Sequence, residues 1–141
     1  MPNESSDETL FDQAMARYQS GAEASEVIQD FEEITASAPN HSAGWTCLAW
    51  LQLLCNQPEA ALRSARLAVK LNIQDPQARI NLTLALLETK SKGVRSQIEL
   101  VKKILFAIPE MEKELKSSVS DGLTRRSDWS ELKKVKTWLD L

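Results

Sequence analysis

The chain has 141 residues, 43% of them hydrophobic and 26% charged, with 20 acidic against 17 basic side chains and a net charge of −3. Strong helix formers (Ala, Leu, Glu, Lys, Arg, Gln, Met) make up more than half of it, and four Gly with five Pro are too few for a many-turned β architecture. The expectation is one all-α domain, and a single His with two Cys excludes most catalytic and metal-binding constellations.

Residues 1–7 are polar and acidic and are expected to be disordered. Apolar spacing and stop signals then predict helices over 8–20, 24–37, 42–54, 58–71, 76–89 and 94–108. Ser42 is placed to cap the third of these after Pro39 ends the second. Asn56-Gln57-Pro58 and Asp75-Pro76 offer starts with Pro at the first helical position. The helix over 42–54 is apolar nearly all round and expects burial on every face. Further on, Met111, Leu115 and Val119 form one stripe that Asp121-Gly122 is expected to end. Asp128-x-x-Glu131 then begins a helix bearing Trp129, Leu132, Val135, Trp138 and Leu139.

The chain repeats itself. Phe11, Trp45 and Arg79 fall 34 residues apart, as do Ala14, Leu48 and Leu82, and Tyr18, Gln52 and Leu86. Val27, Phe31 and Ile34 recur as Ala61, Ala65 and Ala68, and two residues late as Gln97, Val101 and Ile104, which marks an insertion in Lys90-Ser91-Lys92-Gly93. Trp45-x-x-Leu48-Ala49, Tyr18, Phe31, Ala61 and Ala68, with Pro39 and Pro109 as closers, resemble the tetratricopeptide repeat family. Arg79 stands where that pattern has an aromatic, Gln52 where it has Tyr and Ile73 where it has Pro; the Gly of the first helix is missing from every unit. The resemblance implies a right-handed superhelical stack of antiparallel helical hairpins, an α-solenoid. Three repeats would cover 8–109 (8–41, 42–75 and 76–109), and residues 110–141 would form a two-helix cap or degenerate fourth repeat.

In this family the first helix of each unit lines the concave face. That stripe would be Thr9, Asp12, Ala16 and Gln19, then Ala43, Thr46, Trp50 and Leu53, then Gln77, Ile80, Leu84 and Leu87. The groove would begin polar and acidic and turn apolar, with Trp50, Leu53, Ile80, Leu84 and Leu87 forming a patch of the size that marks an interaction site. Two occupants compete for it. One is an amphipathic or extended client segment anchored on Trp50; the other is the chain's own tail with Trp129 and Trp138. Self-association through the same patch overlaps both. Members that hold acidic chaperone tails use cationic donors on this face, whereas the matching positions here are Asp12, Ala16, Cys47, Gln77 and Asn81, so that mode is expected to be absent.

Charge is distributed unevenly. Residues 1–41 hold nine acids and one base, while 76–109 hold two acids and six bases, which suggests head-to-tail contacts or a partner of opposite polarity. Nucleic acid is disfavoured, because the bases carry no interleaved aromatics. Cys47 and Cys55 read as one helix's residues about 12 Å apart along its axis, too far to pair, so free thiols in a reducing compartment are expected. No segment resembles a secretory leader or approaches the roughly 20 apolar residues of a membrane span, and a cytoplasmic location is expected. His41 reads as a surface residue of a link, Glu32-Glu33 as a solvated face, and no cofactor or metal is expected. The expected function is a non-catalytic protein–protein interaction module, a small adaptor or assembly chaperone that takes an apolar or amphipathic client segment. Bacterial secretion chaperones of this repeat class are similar in size and acidity. The alternative is a structural subunit using the same surface as an obligate interface.

Overall fold

A computed structural model describes the backbone from Ser6 to Leu141 and the side chains from Leu10 onward. Residues 1–5, most of the segment expected to be disordered, and the side chain of Thr9 lie outside the described residues. The described residues form eight α-helices: α1 (Ser6–Gln19), α2 (Ala24–Ser37), α3 (Ser42–Leu54), α4 (Pro58–Leu71), α5 (Pro76–Glu88), α6 (Val94–Ala107), α7 (Glu112–Arg125) and α8 (Ser130–Leu139), with a 3-10 turn at Pro109–Met111. They stack as antiparallel hairpins into a right-handed superhelix, an all-α solenoid.

Local chemistry accounts for most boundaries. Asp75 caps α5 by accepting from the Gln77 amide at 3.0 Å, and Pro58 and Pro76 open α4 and α5. Ser42 does not act as a cap: it is the first helical residue of α3, behind His41, and no side chain caps that end. Three residues (55–57) link α3 to α4 and five (89–93) link α5 to α6, so the two-residue insertion lies where the lagging repeat predicted. Asn56 and Lys90 stand at equivalent turns with φ of 60° and 56°. The amides that follow them reach back to the carbonyls of Gln52 and Leu86, a left-handed helix end at both inner helices.

Two departures from the repeat pattern compensate each other. The Trp45 indole N–H donates to the Pro39 carbonyl at 2.8 Å, tying the link between hairpins to the next inner helix. At the equivalent place in the following hairpin the Arg79 Nε–H donates to the Ile73 carbonyl at 3.0 Å. A guanidinium thus makes the same main-chain tie that the aromatic makes.

Burial follows the layering. α3 is buried on every side, with Leu48, Ala49, Trp50, Leu51 and Leu53 all in the core; so is α5, from Ala78 through Leu86. The other helices bury one stripe each. The largest core joins Trp50, Leu53, Ile80 and Leu84 of the inner helices to Leu115, Val119, Trp129, Leu132, Val135 and Leu139 of the tail.

One expected boundary fails for a packing reason. α7 continues through Asp121-Gly122 to Arg125, and Gly122 is not a helix end. A Cβ at Gly122 would lie 2.7 Å from Leu132 and 2.9 Å from the Trp50 ring, so this glycine lets α7 approach the groove closely. Gly122→Val is expected to lower the unfolding free energy by about 1–3 kcal/mol through overpacking, measured by urea titration. Gly21→Ala, at a position with open space around it but φ of 108°, serves as the comparison for backbone strain without a clash.

Candidate functional site

The inner helices α1, α3 and α5 form the concave wall, and the C-terminal hairpin lies against it. α8 packs on α5 and α6 and closes the stack, while α7 crosses the hollow as far as α1. The tail therefore both caps the last hairpin and fills part of the groove. Trp129 is fully buried with its ring centroid 5.3 Å from that of Trp50.

Polar groups fix this arrangement at the rim where the inner helices end. Arg125 donates to the carbonyls of Tyr18 at 2.6 Å and Ala22 at 2.8 Å, lies 3.7 Å over the Tyr18 ring, and pairs with Asp121 at 3.0 Å. Arg126 donates to the Leu53 carbonyl at 3.0 Å and stacks over Trp129 at 4.8 Å. Carbonyls at helix C-termini lack intrahelical partners and carry partial negative charge, so two adjacent guanidinium groups answer the ends of α1 and α3 together. The Trp50 indole N–H donates to the Tyr18 hydroxyl at 2.9 Å, and that hydroxyl donates to Asp121. Burial, reinforced by Asp121 as acceptor, raises the Tyr18 hydroxyl well above its ordinary range. Glu88, at the end of α5, accepts from the Trp129 indole at 2.6 Å and from Arg126 at 3.4 Å. Burial raises its carboxyl despite those donors.

The sequence-predicted groove residues divide into two groups. Leu53, Ile80 and Leu84 are 0%, 1% and 0% exposed beneath the tail, and Leu87 is half-buried against the same core. Their expected exposure is corrected: the tail brings its own apolar stripe, and joining the two stripes removes both from water. Trp50 faces the hollow as expected but is 9% exposed. Asp12 and Gln19 stay exposed on α1, and Thr46 is buried in the floor.

Besides one at the rim lined by Gln19, Leu54, Thr124 and Arg125, a cavity of about 370 Å³ stays open between α1, α3, α5 and α7. Met15, Tyr18 and Gln19 form one side, Thr46, Cys47 and Trp50 with Gln77 and Asn81 the floor, and Ser117, Ser118 and Asp121 the other side. In the floor Gln77 donates to Asn81 at 2.8 Å and Asn81 to the Thr46 carbonyl at 2.9 Å; Gln77 Oε1 is buried with no hydrogen-bond partner among the described residues. No Lys or Arg lines this cavity. Burial, with Asp75 nearby, pushes the Cys47 thiol up to about 12, which disfavours its thiolate form. Among the described residues no cluster of His, Cys, Asp and Glu could hold a metal ion, and no helix is long and apolar enough to cross a membrane.

Sequence reasoning missed Arg125, Arg126, Glu88 and Asp121 as the groups that seat the tail. Their signal was faint: an Arg-Arg pair three residues before a Trp, which acquires meaning only when α7 is known to reach α1.

No protein-family model and no curated protein matches this chain. Solved structures do. The type III secretion translocator chaperone SycD of Yersinia enterocolitica, in an alternative dimer, superposes with a TM-score of 0.67 at 21% identity, covering 96% of this chain and 95% of that one. SycD in complex with a peptide of the translocator YopD gives 0.68 at 18% identity over 84% of this chain and 91% of that one. The first TPR of Spaghetti (RPAP3) bound to the HSP90 peptide SRMEEVD gives 0.56 at 16% identity over 96% and 94%. At these identities the likeness establishes a TPR-like helical repeat fold.

Two outcomes are expected at Glu88. Glu88→Ala strands the Trp129 indole N–H and costs about 1–3 kcal/mol in chemical denaturation. Because the native carboxyl holds its proton to higher pH than the unfolded one, its contribution to stability is complete below the ordinary 4.5 and declines as pH rises through the raised native value. Glu88→Gln is expected to flatten that part of the stability–pH curve relative to the wild type.

Proposed function

We propose that the protein is a non-catalytic binding module, a small adaptor or assembly chaperone that takes an apolar or amphipathic segment of a client protein on its concave face. The observation that carries this reading is the open cavity beside Trp50: apolar at Met15, Cys47 and Trp50, floored by neutral amides and free of cationic side chains. About 370 Å³ lies near the lower end of ligand-pocket sizes, enough for one or two anchoring side chains. Two of the structural neighbours are solved with bound peptides, which is consistent with a peptide as the ligand class.

The proposed contacts are Gln19, Trp50 and Thr46 with Asp12 at the acidic rim; Leu53, Ile80, Leu84 and Leu87 would join only if a client displaced the tail. The lining supports a neutral or basic segment with apolar anchors and disfavours an acidic one, since Asp12 would repel it and no Lys or Arg lines the cavity to clamp a carboxylate.

The test is binding to a displayed library of short extended peptides, followed by titration of the best binder. Apolar, acid-poor sequences are expected. Ser117→Phe, which fills the cavity from the exposed side of α7, is expected to weaken binding at least tenfold, or about 1.4 kcal/mol, while leaving the helical circular dichroism unchanged. Selection of acidic sequences, or micromolar affinity for SRMEEVD, would overturn the reading.

A further inference from the structure

The cavity beside Trp50 has one wall that the repeats do not supply. Its other sides belong to the hairpins before the tail, whereas Ser117, Ser118 and Asp121 come from α7. These three residues are spaced by about one helical turn and share a face, so whatever fixes Asp121 fixes the serines with it. Leu115 and Val119 hold α7 against the core. Apolar contacts are non-directional, however, and do not by themselves set how far the helix stands from α1.

The direction comes from Tyr18, Asp121 and Arg125, which form a closed polar circuit to which Trp50 is attached. The Trp50 indole N–H donates to the Tyr18 hydroxyl at 2.9 Å, and that hydroxyl donates to one carboxylate oxygen of Asp121. The other carboxylate oxygen accepts from Arg125 Nε at 3.0 Å. Arg125 closes the circuit by donating to the Tyr18 carbonyl at 2.6 Å, and its third nitrogen reaches the Ala22 carbonyl at 2.8 Å. All three guanidinium nitrogens thus have acceptors, on α7, at the end of α1 and in the link that follows, while the plane lies 3.7 Å over the Tyr18 ring. A rigid fork with three fixed acceptors defines a separation between helices; an ammonium on a flexible stem does not. Arg125 itself does not line the cavity beside Trp50. Arg126, its neighbour, donates to the Leu53 carbonyl and to Glu88 and stacks over Trp129, none of which lines that cavity either.

We infer, on the binding role proposed above, that Arg125 is the positioning residue of this cavity and sets, through Asp121 and Tyr18, its width between α7 and the wall of α1 and α3. A client side chain that bears on both Trp50 and the α7 face fits only the seated arrangement, so occupancy and seating reinforce each other. The two adjacent arginines divide the work: Arg126 anchors the hairpin, and Arg125 shapes the site.

Arg125→Lys keeps the charge at the helix end and loses the fork. In the full chain it is expected to retain the helical spectrum and to weaken binding of the tightest peptide selected on the wild type by about tenfold or more. Arg126→Ala, which loosens the same hairpin from its other side, is expected to change that affinity by about twofold at most. A second readout needs no ligand. Tyr18 is the chain's one tyrosine, and burial is the chief cause that holds its hydroxyl above the ordinary 10. In Arg125→Lys its absorbance titration at alkaline pH is expected to fall toward 10, because a retreating α7 admits water to the phenol while the neighbouring positive charge is retained. In Arg126→Ala it is expected to stay as in the wild type. Undiminished peptide affinity in Arg125→Lys, an equal loss in Arg126→Ala, or an unmoved Tyr18 titration would each overturn the inference. A wild type that binds no selected peptide would instead sink the binding role, and the Tyr18 titration would still decide whether Arg125 sets the wall.

Discussion

One apolar layer between the concave wall and the C-terminal hairpin gives the molecule its shape. Trp50, Leu53, Ile80 and Leu84 on one side meet Leu115, Val119, Trp129, Leu132 and Val135 on the other, and all but Trp50 are 3% exposed or less. Burying side chains of this size is worth about 1.5–3 kcal/mol each, against about 0.5–1.5 kcal/mol net for a typical hydrogen bond. The layer therefore supplies the holding energy. The polar links of Tyr18, Asp121, Arg125, Arg126 and Glu88 contribute direction: they decide where along the wall the hairpin comes to rest.

That division explains what remains open. The hairpin is seated by contacts at the C-terminal rim of the inner helices, and α7 passes α1 at Tyr18, so the far half of the hollow keeps its space. The covered half is apolar and the uncovered half is mixed, with neutral amides in its floor and acids at its edge. What faces solvent is thus a short opening and not the long apolar trough that the wall alone would present.

Much of the architecture was legible from residues. The spacing of Phe11, Trp45 and Arg79 located the hairpins, and Asp75-Pro76 marked a helix start that the hydrogen bond to Gln77 confirms. The all-round apolar character of α3 foretold its burial. Legibility failed where a residue's role depends on something distant in the chain. Gly122 reads locally as a stop, yet its value is the absence of a Cβ against Trp50, more than seventy residues earlier. Arg79 reads as a lost aromatic, yet its N–H makes the main-chain tie that Trp45 makes. Leu53, Ile80 and Leu84 do face the tail, but their access to solvent hinged on a hairpin whose docking no periodicity encodes.

The order of segments along the chain has a consequence for how the protein forms. The wall is complete once α5 has folded, whereas the helices that cover it come later, with Leu139 in the final turn. Until they pack, the apolar residues of the inner surface have no cover, the condition in which partly folded chains associate wrongly. Synthesis from the ribosome lengthens that interval. In a chain ordered this way the last segment made, and not the wall, completes the burial of the inner surface.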